Sequence, residues 1–399
     1  MRISQRARQI EPFYVMEVAK AAEQVQASSA YKNSGQRMIR LNIGEPDFTA
    51  APLVQERAMR AIRDAMIKYT HATGLPELRD LISQWYKDRY KLNIDPLRII
   101  ITSGASAALQ LACLALIETG DEILMPDPSY PCNRQFVQAS GGTPKLIPTS
   151  ADSRFQLTLS QVQENWGKNT RGVLLASPSN PTGTSIAPDV FKSIIDFVQS
   201  KGGITLADEI YLGLSYEDQF GLSALSMSDQ VISINSFSKY FNMTGWRLGW
   251  MVVPAELTAP IERLAQNLFI CPSTVSQYAA LACFEPESLA LFEARRGEFK
   301  ARRDLFVPLL KKMGLHVPVV PDGAFYAWAD CSDVCKKLGI ASSWELAFEF
   351  LNKAYVAVGP GRDFGIYEMQ KYIRFSTASS SAELEEAAHR LHKLIGDGL

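Results

Sequence analysis

The chain has 399 residues, of which 47% are hydrophobic and 21% are charged, and 41 basic residues balance 42 acidic ones to a formal net charge of −1. This length and composition are typical of a globular protein with two or three domains. The balanced charge argues against nucleic acid or a membrane surface as a partner, and we expect neither.

The N-terminus carries no secretory signal, because arginines at positions 2, 6 and 8 interrupt it before any apolar run can form. The longest apolar stretch, residues 107–117, is interrupted by Gln110 and is too short to span a bilayer. We therefore predict a soluble, cytoplasmic protein.

Cysteine and histidine spacing indicates neither a disulfide framework nor a metal site. The six cysteines form no Cys-x-x-Cys pair, and the four histidines include no His-Glu-x-x-His motif. We expect reduced thiols and no metal.

In chain order, the segment before Asn42 is polar and helical, with a loop predicted near Ser28–Gly35. The middle of the chain then alternates helical segments, such as 106–118 and 188–200, with short apolar runs. These runs show little polar alternation, which is typical of strands covered on both faces. The predicted strands are residues 98–102, 122–125, 172–176, 203–207, 231–235 and 248–253.

This alternation predicts an α/β fold, with a three-layer domain around a mainly parallel, mixed sheet. The C-terminal part has a charged helix around 293–313, strand candidates at 325–329 and 373–376, and a final helix from about 382 to 395, for which Ser380 and Glu383 form a possible capping box. We expect both chain ends to form a smaller α+β domain. The predicted boundaries are residues 1–45 and 291–399 for this domain and 46–290 for the large one.

Four motifs lie at or near the ends of predicted strands: SPSNPTGT (177–184), ADEIY (207–211), SFSK (236–239) and GWRLG (245–249). Ligands bind at the carboxyl edge of the strands in an open α/β sheet. The four motifs therefore predict a ligand site at that edge.

Lys239 follows a predicted strand and lies in a Ser-x-Ser-Lys turn, eight residues before Arg247. Alone, it would be interpreted as a surface lysine. Two cations and two serines together suggest a phosphate site, and a lysine that is desolvated or near a cation has a lowered pKa. Its amine would then be available as a nucleophile.

Asp208 ends a predicted strand, and Tyr211 lies three residues later. A turn-capping carboxylate and a half-buried aromatic are the structural interpretations. The functional interpretation is a carboxylate that keeps a heterocyclic nitrogen protonated, as pyridoxal phosphate requires, with a phenol beside the same ring. Asn180 lies between two turn dipeptides, and a rigid turn would hold its amide in a fixed direction.

The motifs SPSNPTG, ADEIY, SFSKYFNMTGWRLGW and YIRFSTA, in this order, resemble those of class I/II aminotransferases of the fold type I pyridoxal-phosphate-dependent family. The resemblance covers nearly the whole chain, from LNIGEPDF near Asn42 to Arg374. It implies that the cofactor is pyridoxal 5'-phosphate and that Lys239 is the Schiff-base lysine.

The resemblance also assigns the other positions. Asp208 matches the partner of the pyridine nitrogen, and Tyr211 and Asn180 match the pair that binds the ring oxygen. Tyr130 matches the aromatic that stacks on the ring. The positions that match phosphate ligands are Gly104, Ala105 and Ser106 at a helix start, Ser236, Ser238, Arg247, and Tyr69, which reaches the cofactor of a neighbouring subunit.

For the substrate, the resemblance implies that Arg374 binds the α-carboxylate bidentately, whereas the structural alternative is a surface ion pair. Gly44 is expected to let the chain approach the substrate closely. The implied reaction is a ping-pong transfer from an amino acid to a 2-oxo acid, with Lys239 as anchor and proton carrier, in an enzyme that is at least a homodimer.

Two other functions remain open. A carbon–sulfur β-lyase would use the same cofactor and nearly the same residues. A non-catalytic, cofactor-sensing regulatory module is a weaker alternative, because the chain begins directly with the aminotransferase-like segment.

The donor is expected to be a neutral or aromatic amino acid. Some aspartate-using relatives place a cation at the loop that corresponds to Ala105 and Ser106, and this chain has none there. Phe13, Tyr14, Phe269 and Phe325 are candidates for an apolar pocket. Arg134 or Arg362, approaching from elsewhere, would reverse this expectation.

Overall fold

The computed structural model describes residues 2–396 and contains three β-sheets, one of which is large and central. The strands of the described residues are β1 (Ile39–Arg40), β2 (Ile99–Thr102), β3 (Glu122–Asp127), β4 (Thr143–Pro148), β5 (Thr170–Ala176), β6 (Ile204–Asp208), β7 (Ile232–Ser236), β8 (Gly249–Val252), β9 (Tyr326–Asp330), β10 (Val356–Ala357), β11 (Gly359–Pro360) and β12 (Tyr372–Ser376).

Helices pack on both faces of the central sheet. Over the same described residues the α-helices are α1 (Gln5–Gln9), α2 (Tyr14–Ala27), α3 (Ser29–Ser34), α4 (Pro52–Arg63), α5 (Pro76–Tyr90), α6 (Ala105–Leu116), α7 (Pro131–Ala139), α8 (Leu159–Asn165), α9 (Pro188–Ser200), α10 (Ala255–Phe269), α11 (Thr274–Leu281), α12 (Pro286–Lys312), α13 (Ser332–Leu338), α14 (Ser343–Glu349) and α15 (Ser381–Ile395). No helix within residues 2–396 is both long and apolar enough to cross a membrane.

The central sheet has the strand order β2-β8-β7-β6-β5-β3-β4. Strand β8 is antiparallel to both neighbours, and the pairings among β7, β6, β5, β3 and β4 are parallel. The strands other than β8 therefore run in one direction and end at the same edge. This confirms the predicted α/β fold with a mainly parallel, mixed sheet.

Apolar residues fill both faces of the strands, which explains why the runs lack polar alternation. Leu174 and Leu206 pack in the layer of α6 and α10, whereas Val173, Leu175 and Ala207 pack on the opposite face with α8 and α9. Successive residues of a strand point to opposite faces, so a strand buried on both sides must be apolar throughout.

A second core joins the two chain ends. Ile39 and Leu41 are buried with residues of α12, α15 and the antiparallel sheet β11-β12-β9. Helix α12 spans both cores, since Phe292 and Phe299 pack under the central sheet and Phe306 packs in the second core. The predicted boundary at 290/291 falls inside this helix. The division into two domains therefore stays a proposal. Residues 1 and 397–399 of the predicted smaller domain lie outside the described residues.

Two local expectations differ from the structure. Residues predicted as a loop at Ser28–Gly35 contain α3, because Ser28 Oγ accepts the Tyr31 N–H (3.2 Å) and Gly35 ends the helix in the left-handed conformation. At the start of α15, Ser380 Oγ accepts the Glu383 N–H (3.3 Å), but the Glu383 carboxylate pairs with Arg37 (2.7 Å). Glu383 is thus drawn into an ion pair with the N-terminal segment.

Candidate active site

A single cavity of about 440 Å³ lies at the edge where the strands of the central sheet end, and its size is typical of a small-molecule site. It collects residues from many separate segments of the chain. The predicted site residues that line it are Gly44, Ala105, Ser106, Tyr130, Asn180, Asp208, Tyr211, Ser236, Ser238, Lys239, Arg247 and Arg374.

Lys239 lies just beyond the end of β7, and its Nζ donates a hydrogen bond to the backbone oxygen of Gly44 (2.7 Å). The Nζ is also 5.8 Å from the centre of the Tyr211 ring and 5.7 Å from that of Phe325. Burial lowers the pKa of Lys239 from 10.5 to about 8, because the charged form loses its water. The amine is therefore far closer to neutrality than a surface lysine.

Asp208 is the last residue of β6 and is buried. Its Oδ1 accepts the Ile210 N–H (3.3 Å), and its Oδ2 accepts a hydrogen bond from Asn133 Nδ2 (3.5 Å). Burial raises the pKa of Asp208 to about 6, against these hydrogen bonds and the Lys239 charge, which lower it. Because burial destabilises the charged carboxylate, a cationic partner inside the cavity would stabilise it.

Arg374, in β12, is buried at the other end of the cavity. Its Nη1 donates to Asn180 Oδ1 (2.9 Å) and its Nη2 donates to the backbone oxygen of Asn42. Its guanidinium lies between the rings of Tyr326 (4.6 Å) and Phe364 (4.8 Å), and its Nε has no hydrogen-bond partner. A buried guanidinium with an unused donor fits an arriving carboxylate. The predicted alternative, a surface ion pair, is wrong.

Tyr211 lies directly before a 3-10 turn (Leu212–Leu214), and its hydroxyl shares a hydrogen bond with the Tyr326 hydroxyl (2.6 Å). Burial raises the pKa of Tyr211 well above 10, so it is a neutral phenol that donates one hydrogen bond. Sequence reasoning missed Tyr326, although the strand that carries it was predicted.

The N-terminus of α6 meets Arg247 at a third part of the cavity. Gly104 precedes this helix with a φ of +86°, and a Cβ there would lie 2.7 Å from Arg247 Nη2. This positive φ favours glycine, and the end of the Arg247 side chain would have to shift to make room for a Cβ. Ser236 Oγ accepts the Ser238 N–H (3.0 Å) nearby. Helix N–H groups, two hydroxyls and a guanidinium form a site suited to a phosphate.

Gly44 leaves room for Tyr326, because a Cβ at residue 44 would lie 2.0 Å from the Tyr326 hydroxyl. Its backbone oxygen accepts the hydrogen bond from Lys239 Nζ. Tyr130 precedes α7, and its ring meets the ring of Phe13 edge to face, with centroids 6.2 Å apart.

Among the predicted site residues, Gly104 is outside the lining but directly precedes the lining residue Ala105, whereas Tyr69 has no sequence neighbour in the lining. The Tyr69 side chain is 81% exposed and does not line the cavity.

The apolar wall of the cavity differs in part from expectation. Phe13 lines it together with Val15, Met16, Ile43 and Leu109. The other aromatic candidates do not line it: Tyr14 packs against Trp344, and Phe325 is buried behind Lys239. Phe269, at the end of α10, is also absent from the lining.

The two arginines that would have favoured an acidic substrate also lie outside the lining. Arg134 Nη2 contacts Glu11 Oε2 (3.3 Å) and the backbone oxygen of Asp363 (3.3 Å), and Arg362 stacks on Tyr14 and Trp344. Both cations already have partners away from the cavity.

Sequence reasoning missed Asn133 as well as Tyr326. Asn133 lies on α7 one turn after Tyr130 and holds Asp208. Pro131 was the available signal, because proline favours the first position of a helix. It predicts a helix that begins there and carries Asn133 in its first turn.

Comparison with known proteins gives a consistent family. The model of "Aminotransferase class I and II" matches residues 36–391. The valine–pyruvate aminotransferase of Mycobacterium tuberculosis is 36% identical over 385 residues, 96% of each chain. The aspartate aminotransferase of Thermotoga maritima is 31% identical over 385 residues, 95% of this chain and 97% of its own. The crystal structure of an aminotransferase from Mycobacterium tuberculosis superposes with a TM-score of 0.92 at 35% identity, covering 98% of both chains.

Proposed function

The chain belongs to the class I and II aminotransferases, and from that premise we propose that it moves the amino group of a neutral or aromatic L-amino acid to a 2-oxo acid by a ping-pong mechanism. We further propose that Lys239 is both the anchor of pyridoxal 5'-phosphate and the proton carrier. The observation that carries this proposal is the desolvated Lys239 amine, which shares one cavity with Asp208 and Arg374.

The residues of the cavity fit the cofactor that this family uses. The buried Asp208 suits a protonated ring nitrogen, and the space at Gly104 beside Arg247 suits a phosphate. When bound, pyridoxal 5'-phosphate supplies an aldehyde for amines and an electron-withdrawing ring for the carbanion at Cα. The phosphate end would be held by Gly104, Ala105, Ser106, Ser236, Ser238 and Arg247.

The polar side chains divide the remaining tasks. Asn180 Oδ1 accepts from Arg374, so its Nδ2 is left to donate to the ring oxygen of the cofactor. Tyr211 would offer its hydroxyl to the same oxygen, and Tyr130 would cover the face of the ring. Arg374 binds the α-carboxylate and thereby turns the Cα–H bond towards Lys239.

Lys239 then performs the proton transfers. As a neutral amine, Lys239 Nζ would take the proton from the substrate Cα, and the resulting ammonium group would hold that proton and deliver it again to complete the transfer. Burial serves this step, since a base works best when its pKa lies near the working pH.

The lining of the cavity supports a neutral donor. Lys239, Arg247 and Arg374 are the cations among its lining residues. The proposal already assigns them to the cofactor aldehyde, the cofactor phosphate and the α-carboxylate of the substrate, respectively. The wall formed by Phe13, Val15 and Met16 offers apolar contacts and no partner for a second carboxylate. The related valine–pyruvate enzyme bears the name of such a donor.

We also propose a homodimer in which Tyr69 enters the partner subunit's site and binds the cofactor phosphate. Tyr69 follows closely in sequence on exposed apolar side chains of α4 and the loop after it, and exposed apolar surface marks an interface when it is contiguous. Thr274 Oγ1 donates to the backbone oxygen of Lys68 (2.6 Å), which ties this loop to α11. The exposed apolar residues are Met59, Ile62, Met66 and Ile67.

A cytoplasmic location is part of the proposal. The six cysteines are free, and Cys331 and Cys335 remain thiols although their sulfur atoms are 3.8 Å apart. Free thiols suit a reducing compartment.

The test is a half-reaction. Purified protein loaded with pyridoxal 5'-phosphate is mixed with each amino acid in turn, without an oxo acid, and the absorbance band of the lysine-bound cofactor is followed. The band should decay with neutral or aromatic amino acids, and a 2-oxo acid should restore it.

The controls address the lysine and the reaction type. Lys239→Ala should lose the band and the transfer, whereas Lys192→Ala, on α9, should keep both. Transfer by Lys239→Ala would contradict the role of this lysine. Release of pyruvate and ammonia from a cysteine conjugate, without transfer to an oxo acid, would contradict transamination in favour of β-elimination.

A further inference from the structure

The apolar wall of the cavity comes from the N-terminal segment, far in sequence from the other site residues. Phe13, Val15 and Met16 line the cavity at the start of α2. Phe13 is the N-cap of this helix and has no side-chain group that caps it. The position of the wall therefore depends on whatever binds the free N–H groups at this helix end.

Asp363 supplies these contacts from the other end of the chain. Its Oδ1 accepts the Tyr14 N–H (3.0 Å) and its Oδ2 accepts the Val15 N–H (2.9 Å), and the residue is fully buried. A carboxylate at a helix N-terminus also interacts favourably with the helix dipole. Asp363 thus acts as the cap that Phe13 cannot provide.

The segment that carries Asp363 also contacts the arginine at the far end of the cavity. The ring of the next residue, Phe364, lies 4.8 Å from the Arg374 guanidinium, and its backbone oxygen accepts the Ser129 N–H (2.8 Å). Arg134 bonds the backbone oxygen of Asp363 from the side of α7. Asp363 is therefore held where the apolar wall, Arg374 and the central sheet meet.

We propose that Asp363 is a positioning residue that sets the side-chain selectivity of the enzyme. This inference rests on the proposed aminotransferase function. Asp363 does not line the cavity. Its carboxylate fixes the two backbone N–H groups that place Phe13, Val15 and Met16 against the donor side chain. Arg374 fixes the carboxylate end of the donor. The distance between Arg374 and the apolar wall therefore determines which donor side chain fits.

The first experiment changes the carboxylate. Asp363→Asn is compared with Asp333→Asn, an exposed acid of the same part of the fold that pairs with His316. The half-reaction rates with valine and with phenylalanine are each divided by the rate with alanine. One methylene group more or less in an apolar pocket changes discrimination by about 10-fold to 200-fold. We expect these ratios to fall about tenfold in Asp363→Asn and to stay unchanged in Asp333→Asn.

The second experiment removes one donor without touching Asp363. Tyr14→Pro deletes the N–H at the first position of α2, where proline fits, and the preceding Phe13 is extended (ψ 102°), as proline requires. Tyr14→Ala loses the same ring but keeps the N–H. The ratios should fall in Tyr14→Pro relative to Tyr14→Ala. If Asp363→Asn does not fold, the comparison of these two Tyr14 variants tests the proposal on its own.

Hydrogen exchange gives a readout that is independent of activity. Amides of residues 15–18 should exchange faster in Asp363→Asn and Tyr14→Pro than in their controls, while amides of the central sheet keep their protection. Equal exchange, or unchanged selectivity in an enzyme that transfers amino groups, would overturn the role of Asp363. A wild type that prefers no larger donor to alanine overturns it as well. A wild type that reacts with no amino acid fails at the proposed function instead.

Discussion

The burial of Lys239 predicts an amine that titrates far below an ordinary lysine. In the cofactor-free protein its pKa is about 8 instead of 10.5. At pH 7 about one amine in ten is then neutral, roughly 300-fold more than for a lysine of ordinary pKa, and the difference corresponds to about 3 kcal/mol. The first cause is desolvation, and the nearby charges of Glu45, Arg374, Arg247 and Asp208 adjust it in both directions.

The charges provide a test of sign. Glu45 raises the pKa of Lys239, so Glu45→Gln should lower it further. Arg247 lowers the pKa of Lys239, so Arg247→Gln should raise it. Two variants that move the same pKa in opposite directions exclude a general loosening of the cavity.

The assay is competitive labelling of the cofactor-free protein with trace acetic anhydride between pH 6 and 11. Peptide mass spectrometry then gives the labelling of Lys239 beside that of the other lysines, which serve as internal controls. The Lys239 midpoint should lie near 8. A midpoint near 10.5, or shifts of the same sign in Glu45→Gln and Arg247→Gln, would refute the reasoning.

Three further predictions follow from the same structure. Lys239→Met should raise the free energy of unfolding of the cofactor-free protein by up to about 3 kcal/mol at pH 7, because the folded protein then no longer buries a protonated amine. Since the folded pKa is depressed, this gain should shrink as the pH rises from about 8 to 10.5, as urea titrations at each pH would show. Wild-type affinity for pyridoxal 5'-phosphate should fall as the pH drops through about 6, where Asp208 becomes protonated. Asp208→Asn should bind the cofactor weakly at every pH. A fluorescence titration that finds equal wild-type affinity at pH 5 and 8 would contradict the pairing of Asp208 with the ring nitrogen. Gly365→Ala should destabilise by about 1–3 kcal/mol, because its Cβ would lie 1.6 Å from the buried Asp127 carboxylate, whereas Gly297→Ala, in open space on α12, should stabilise by up to about 1 kcal/mol; calorimetry that finds no difference between the two would contradict the packing.

Local sequence was sufficient where the signal is local. The apolar runs predicted strands of the central sheet because a strand buried on both faces leaves no polar positions, and the turn residues after each run placed Asp208, Asn180 and Lys239 at one edge. The order of the motifs then indicated the family. Helix α3 was missed, because the same Ser and Gly residues that suggest a loop also cap a short helix.

Contacts between distant segments were decided by the tertiary structure alone. Tyr326 reaches Tyr211 from 115 residues away, and Asp363 caps a helix that begins 349 residues earlier. Neither pairing leaves a periodic pattern, because each depends on where two packed elements happen to meet. The exclusion of Arg134 and Arg362 from the cavity has the same origin.

The sequence by itself therefore determined the class of fold, the edge of the sheet where the cavity lies, and the lysine that lines this cavity, since all three follow from hydrophobic periodicity and from short motifs. The tertiary structure decided the environment of that lysine. A pKa near 8 arises from burial among Tyr211, Phe325 and Gly44, and the helix end that carries the apolar wall of the cavity is capped by a carboxylate from the opposite end of the chain. Burial and long-range capping are properties of packed elements, and no local pattern of residues encodes them.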